Sequence, residues 1–340
     1  MKKKVFWLAA MAVTVSMASC SLEEVVEQPA PQAIGFSSFV GKPTKAVTET
    51  SLTALQTSGF KVWGGYDGND AIFVGRDVTY SDSQWGYTGT EYWVPSKDYK
   101  FAALGPIAAV AAGTPGYTYA GGLVLSNYSV TDLATSKDLV YASAERLNAT
   151  STPDYTNAVS FTFGHIMSWI KIKFVHKMTS GYKITVSDVN VENVKTNATY
   201  TASTPAWSAP NTAATFTGQT PHSYKTSGNT DDSTSPLNEN GDYGIVDFIA
   251  IPQTIATGTP FKVTFKLSVT DNKETSLVTD KSVTATMNSE QTWKSNYVYV
   301  YTAELDETVL GLQPIKFTVS SVTPWDDDND EDNQGGSLSY

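Results

Sequence analysis

Apolar residues along most of this chain recur at every second position. In FKVTFKLSV (261–269), Phe261, Val263, Phe265, Leu267 and Val269 share one face, and Lys262, Thr264, Lys266 and Ser268 share the other. That is the period of a half-buried antiparallel strand with its lysines toward water. IKIKF (170–174), KITVSDVNV (183–191) and NYVYVYTAEL (296–305) repeat the alternation, and AIGFSSFV (33–40) reads as a strand at the front. Threonine, valine and tyrosine are abundant, as pleated surfaces prefer. Helical spacing is confined to two short stretches. ETSLTALQTSGF (49–60) holds a short helix with Thr50 or Ser51 as cap and Leu52 and Leu55 inward, and TSKDLVYASA (135–144) holds one further turn. The pattern predicts an all-β protein.

Strand and turn continue from Ile34 to Pro324, roughly 290 residues and more than one sandwich needs, so two tandem antiparallel β-sandwich domains are expected. Polar, Gly/Pro/Ser/Thr/Asn-rich breaks fall at 145–157 (ERLNATSTPDYTN) and at 203–241. Placing the boundary in the first gives domains 34–154 and 155–325, with AVSFTFGHIMSWIKIKF (158–174) opening the second and 203–241 forming a long loop inside it. A boundary near Thr179 is the alternative. Residues 20–33 read as a proline-bearing tether, and residues 326–340 as a flexible acidic tail.

Residues 1–19 have the form of a secretory signal peptide, with Lys2, Lys3 and Lys4 ahead of an apolar run (5–15) too short to cross a bilayer. Met17-Ala18-Ser19-Cys20 resembles a bacterial lipobox, which implies cleavage before Cys20 and lipid on that residue. An ordinary signal peptide with a chance cysteine is the alternative. Cys20 is the only cysteine, so the chain has no disulfides to form. Loss of the three lysines takes the formal charge from −11 to −14. An acidic chain without a basic cluster argues against nucleic acid as a partner and leaves the N-terminal lipid as the route to a membrane. Ser21-Leu22-Glu23-Glu24 resembles the acidic tag that sends some lipoproteins to the outer face of the outer membrane.

Candidate chemistry is sparse. The run DDDNDED (326–332) offers Asp326, Asp328 and Asp330 as weak calcium ligands, but it lacks the interior glycine and the spaced final glutamate of a calcium loop, and reads as a solvated linker. His165, His176 and His222 do not sit at metal-ligand spacing, and no catalytic cysteine exists for them to activate. His165, beside an apolar strand, reads as a hydrogen-bonded structural residue. Asp247 in GIVDFIAIPQ is a lone carboxylate, whereas glycoside hydrolysis needs a pair. Neither a P-loop nor a Gly-x-Ser-x-Gly elbow is present. No enzymatic activity, metal or cofactor is expected. Trp63, Tyr66, Phe73, Tyr80, Trp85, Tyr87, Tyr92 and Trp93 crowd one region, alternating within short strands as core residues do. Read instead as a sugar-stacking platform, they suggest a carbohydrate-binding surface lipoprotein of a glycan-uptake system.

The order of several motifs is informative together. VWGGY (62–66), a Trp-x-Tyr-x4-YWVPSKDYKFAALGP stretch (85–106), DLVYASA (138–144), VSFTFGHIMSWIKIKF (159–174), FIAIPQT (248–254) and VTPW (322–325) follow one another as in the fimbrillin-like proteins, lipoprotein pilins and adhesins of the type V pilus group. The chain resembles that family from the lipobox to Trp325. The resemblance implies two tandem transthyretin-like sandwiches, export as a lipoprotein to the outer membrane and the fimbrium, other fimbrial subunits as partners, and a host or bacterial surface receptor. In the family's shaft subunits a trypsin-like protease cuts a loop after the first strand, often following arginine; here Lys45-Ala46 in GKPTKAVTET (41–50) takes that place. The displaced strand would carry Ile34, Phe36 and Phe39, and a donor strand from the C-terminal region would carry Ile315, Phe317 and Val319. The alternative is that 314–323 is simply the last strand of the second domain. Physically, losing a strand exposes an unpaired backbone edge and an apolar stripe, and an incoming strand restores both.

Overall fold

The computed structural model describes residues 32–40, 49–133, 136–147, 157–224, 231–232, 236–238, 240–286, 290–311 and 317–325. Among them the architecture is β throughout, in three main sheets. The first has seven strands in the order β1 (Phe36–Val40), β9 (Val159–His165), β8 (Val140–Arg146), β5 (Tyr99–Gly105), β2 (Phe60–Tyr66), β3 (Asn69–Ser81) and β4 (Gln84–Tyr87). All neighbours are antiparallel except β1, which runs parallel to β9 with Phe36 opposite Val159.

This sheet curls until its two ends meet. Ala33 bridges Tyr92, the Ile34 N–H donates to the Glu91 carbonyl at 2.8 Å, and the Trp93 N–H donates to the Gln32 carbonyl at 3.0 Å. Inside the curl lies a compact aromatic core that includes Phe36, Phe60, Phe73, Trp93, Tyr99, Phe101, Phe161 and Phe163. The helix α1 (Glu49–Ser58) contributes Leu55 to it.

The second sheet runs β19 (Ser276–Thr286), β18 (Lys262–Asp271), β11 (Tyr182–Thr201), β7 (Gly122–Ser129), β6 (Thr114–Thr118), with β12 (Ala206–Trp207) and β13 (Asn211–Gln219) also paired to the long β11. The third runs β15 (Asp231–Asp232), β14 (His222–Tyr224), β16 (Tyr243–Ala250), β10 (Ser168–His176), β21 (Tyr297–Leu305), β22 (Phe317–Pro324). A two-stranded ribbon joins β17 (Thr254–Ile255) to β20 (Gln291–Thr292). Sheets two and three enclose the larger core. Ile170, Ile172 and Phe174 of β10 face Val263, Phe265 and Leu267 of β18, and Phe174 meets Phe265 edge-on at 4.9 Å. Two inner faces filled by alternate residues make a β-sandwich.

The strands expected at 33–40, 170–174, 183–191, 261–269 and 296–305 and the helix at 49–60 correspond to β1, β10, β11, β18, β21 and α1. Two local expectations are corrected. TSKDLVYASA forms no helical turn over its described residues: Val140 and Ala142 are buried on alternate positions of β8, which pairs with β5. The stretch 203–241 is not a plain loop, because β12, β13, β14 and β15 all lie within it. Its longest strand, β13, buries only Phe216 deeply and is paired along the flank of β11, so apolar alternation gave no signal there.

Strand order also crosses the division drawn at 154/155. β9 lies after it yet pairs with β1 and β8, because Val159, Phe161 and Phe163 fill the smaller core. β6 and β7 lie before it yet join β11, where Leu123, Leu125 and Tyr128 enter the larger core. Trp63, Ala102 and Leu104, on the outer side of β2 and β5, are part of the larger core as well.

Candidate functional site

The first strand is built into the fold rather than laid on it. Ile34 and Phe36 are buried, and Ser38, next on the same face, is buried as well, its hydroxyl without a hydrogen-bond partner. The Phe36 ring meets Phe73 edge-on at 5.1 Å, Phe101 edge-on at 5.8 Å, Tyr87 at 5.7 Å, and stacks on Phe161 at 5.7 Å. Tyr87 donates its hydroxyl hydrogen to the Ile34 carbonyl at 2.7 Å, and the Val159 N–H donates to the Gly35 carbonyl at 2.7 Å. Alternation explains the placement: residues 34, 36 and 38 point inward because the strand period is two. Burying Ile34 and Phe36 contributes about 1.5–3 kcal/mol each. The Phe39 backbone pairs opposite Thr162, and its side chain lies outside the described residues.

β1 stands at one end of its sheet's strand order, with β9 as its ladder partner. Lys45 and Ala46 lie outside the described residues, between the end of β1 at Val40 and the start of α1 at Glu49. Cys20 also lies outside them. Withdrawing β1 would uncover Phe73, Phe101 and Phe161 together with the backbone edge of β9, which is the kind of groove that an extended peptide fills.

At the other end of the chain, β22 is the last strand of the third sheet and pairs antiparallel with β21. Val319 is half-buried against the larger core, and Val322 is 47% exposed. Phe317 opposes Ala303, with its side chain outside the described residues, as are Ile315, Asp326, Asp328 and Asp330. Among the described residues no three His, Cys, Asp or Glu side chains group as a metal site.

The residues weighed for catalysis are engaged in structural contacts. Nδ1 of His165 lies 2.5 Å from the Asp138 carboxylate, both side chains are buried, and Trp325 stacks flat on the imidazole at 4.1 Å. Trp325 also meets Trp169 at 5.3 Å. The residue after β22 therefore clamps β9, β10 and the segment before β8, a contact whose members are too far apart in sequence for any motif to reveal. His176 Nε2 lies 3.0 Å from the Tyr182 carbonyl. Asp247 accepts the Trp169 indole N–H at 2.9 Å.

The aromatic-rich stretch is core. Trp63, Phe73 and Trp93 are buried, Tyr66, Trp85 and Tyr87 pack against the smaller core, and Tyr80 packs on Trp85 at 5.1 Å. Tyr92, 51% exposed, stands apart from them. Phenols deep in the larger core are held protonated: burial, the main cause, pushes Tyr301 up to about 12, partly offset by the hydrogen bond that the Trp293 indole donates to it.

No curated protein matches this sequence. Among solved structures, a fimbrial protein from Bacteroides vulgatus ATCC 8482 superposes with a TM-score of 0.59 at 16% identity, covering 87% of this chain and 100% of that one. A candidate cell-adhesion protein from Bacteroides ovatus ATCC 8483 gives 0.55 at 15% identity, covering 87% and 99%. At such identities the shared property is the fold. The family model for fimbrillin-like proteins matches residues 44–325, most of the chain, and the protein belongs to that family.

Proposed function

We propose that the protein is a surface-exported lipoprotein of the outer membrane that serves as a fimbrial subunit or adhesin. In this reading Cys20 carries the lipid and a trypsin-like cut at Lys45-Ala46 frees β1. A strand from a neighbouring subunit then takes its place. The observation that carries the reading is the position of β1: an end strand, plugged into an aromatic core by Ile34 and Phe36, between the anchor residue and the cuttable segment. A strand so placed holds the groove shut until it is cut from the rest of the fold and opens it when withdrawn. Donation by Ile315, Phe317 and Val319 requires β22 to leave β21, so the donor end and the accepting end each give up one ladder. Receptor binding at a host or bacterial surface follows from the adhesin form of the same reading.

The test is native digestion of residues 21–340 with trypsin. Early cleavage after Lys45, release of the 21–45 peptide and a ladder of polymers support the proposal, and Lys45→Gln should remove both cleavage and ladder. Scattered cutting, or clean removal of the peptide from a protein that stays monomeric, defeats it. A glycan-uptake role would need exposed paired aromatic rings, and the aromatic-rich stretch is packed into the core instead.

A further inference from the structure

One face of the third sheet carries chemistry that strand exchange does not use. On β10, Trp169, Lys171 and Lys173 alternate onto the side opposite Ile170, Ile172 and Phe174. The Lys171 ammonium sits 4.0 Å over the Trp169 ring, and the Lys173 ammonium 4.0 Å over the Tyr243 ring. Lys171 is only 3% exposed, an unusual state for an ammonium group, which calls for opposite charge close by. Asp247 lies opposite Lys171 in register, and its carboxylate also accepts the Trp169 indole.

The chain leaves the described fold at the edge of this same face. Trp325 is fixed against Trp169 and His165, and its backbone N–H donates to the Asn296 carbonyl at 2.9 Å. Trp325, the last described residue, therefore lies beside Trp169, two strand positions from Lys171 and four from Lys173. The next seven residues, DDDNDED, hold six acids. Extended, they reach about 23 Å, whereas the path from Trp169 to Lys173 is about 13 Å.

We propose that the acidic segment 326–332 docks on the basic and aromatic face of β10 in its own subunit, with its carboxylates against Lys171 and Lys173. The aromatic rings beneath hold the two ammonium groups in place, and Trp325 sets the entry point. Such docking fixes the C-terminal end beside β22 and withholds it from neighbouring chains at low ionic strength. The inference is independent of the lipid anchor and of the cut at Lys45.

The test uses a fluorescently labelled peptide of residues 326–340 and the 21–340 chain in two forms. One is unchanged; in the other the six acids of 326–332 are converted to amides. Anisotropy should show the peptide binding the amide form at least tenfold more tightly than the unchanged chain, whose own tail occupies the face. Raising the salt should weaken that binding at least tenfold. Adding Lys173→Gln, a change at a half-exposed position that the fold tolerates more readily than one at Lys171, should weaken it several-fold. Equal binding to both forms, no binding to either, or indifference to Lys173→Gln overturns the proposal. Dimerisation of the unchanged chain that disappears in the amide form also overturns it, by assigning the face to a second copy's tail.

Discussion

Gly64 and Gly65 in VWGGY lie on β2 hard against the backbone of β5 and β3 respectively. A Cβ on Gly65 would fall 2.2 Å from the Asn69 carbonyl oxygen, and one on Gly64 would fall 2.5 Å from the Phe101 ring and 2.7 Å from the Lys100 carbonyl oxygen. Backbone cannot move aside as a side-chain tip can. Gly65→Ala should therefore cost about 1–3 kcal/mol in denaturant unfolding. Gly86→Ala, with nothing within 4 Å, should stay within about 0.5 kcal/mol. The buried tyrosines make a second residue-scale prediction. Burial raises Tyr117, Tyr128 and Tyr200 as well as Tyr301, whose folded value is about 12 against an unperturbed 10.0. A raised folded pKa stabilises fully below the unfolded value and loses that contribution as pH climbs through the folded one. Alkaline unfolding should thus fall between pH 10.0 and about 12, with tyrosinate absorbance and loss of strand signal rising together. Complete tyrosine titration near pH 10.0 in a still-folded protein would contradict it.

At the scale of elements, β1 concentrates the stability question in one side chain. Phe36 touches four aromatic rings, so Phe36→Ala should cost about 3–5 kcal/mol. The same change should speed loss of the 21–45 peptide after cleavage, read by size-exclusion chromatography. Val74→Ala, at a 69% exposed position on β3, is the control and should change neither. Much of this element was readable beforehand, because Ile34 and Phe36 alternate with polar or small residues just ahead of the polar sequence Lys-Pro-Thr-Lys. Its parallel pairing with β9 was not readable, since alternation reports which face is buried and says nothing of strand direction or partner. β8 was misread because Leu139, Val140 and Ala142 fit either a short helix or a strand, and pairing with β5 decides between them. β13 escaped because Phe216 is its one deeply buried residue, so its pairing on the side of β11 leaves no apolar alternation to read. The clamp of His165, Asp138 and Trp325 escaped for a different reason: three distant segments make it, and no local pattern encodes their meeting.

At the scale of the whole molecule, the crossing strands decide what can fold alone. The smaller core needs Val159, Phe161 and Phe163 from β9, and the larger one needs Leu123, Leu125 and Tyr128 from β7. Each such side chain contributes about 1.5–3 kcal/mol when buried, so three of them approach the 5–15 kcal/mol by which a whole domain is stable. A fragment ending at residue 156 keeps β1–β8 but leaves β8 and β1 without the strand between them, exposing Phe36 on one side. It should show poor amide dispersion and no cooperative thermal transition. Extending the fragment to residue 166 restores β9 and should restore dispersed signals from the smaller core, even though β6 and β7 still lack β11. The full 32–325 segment should unfold in one transition, because Trp63, Ala102 and Leu104 tie the outer side of the first sheet into the larger core. A well-dispersed, cooperatively melting 32–156 fragment would show that β9 is dispensable, and would place a domain boundary in the polar stretch at 145–157.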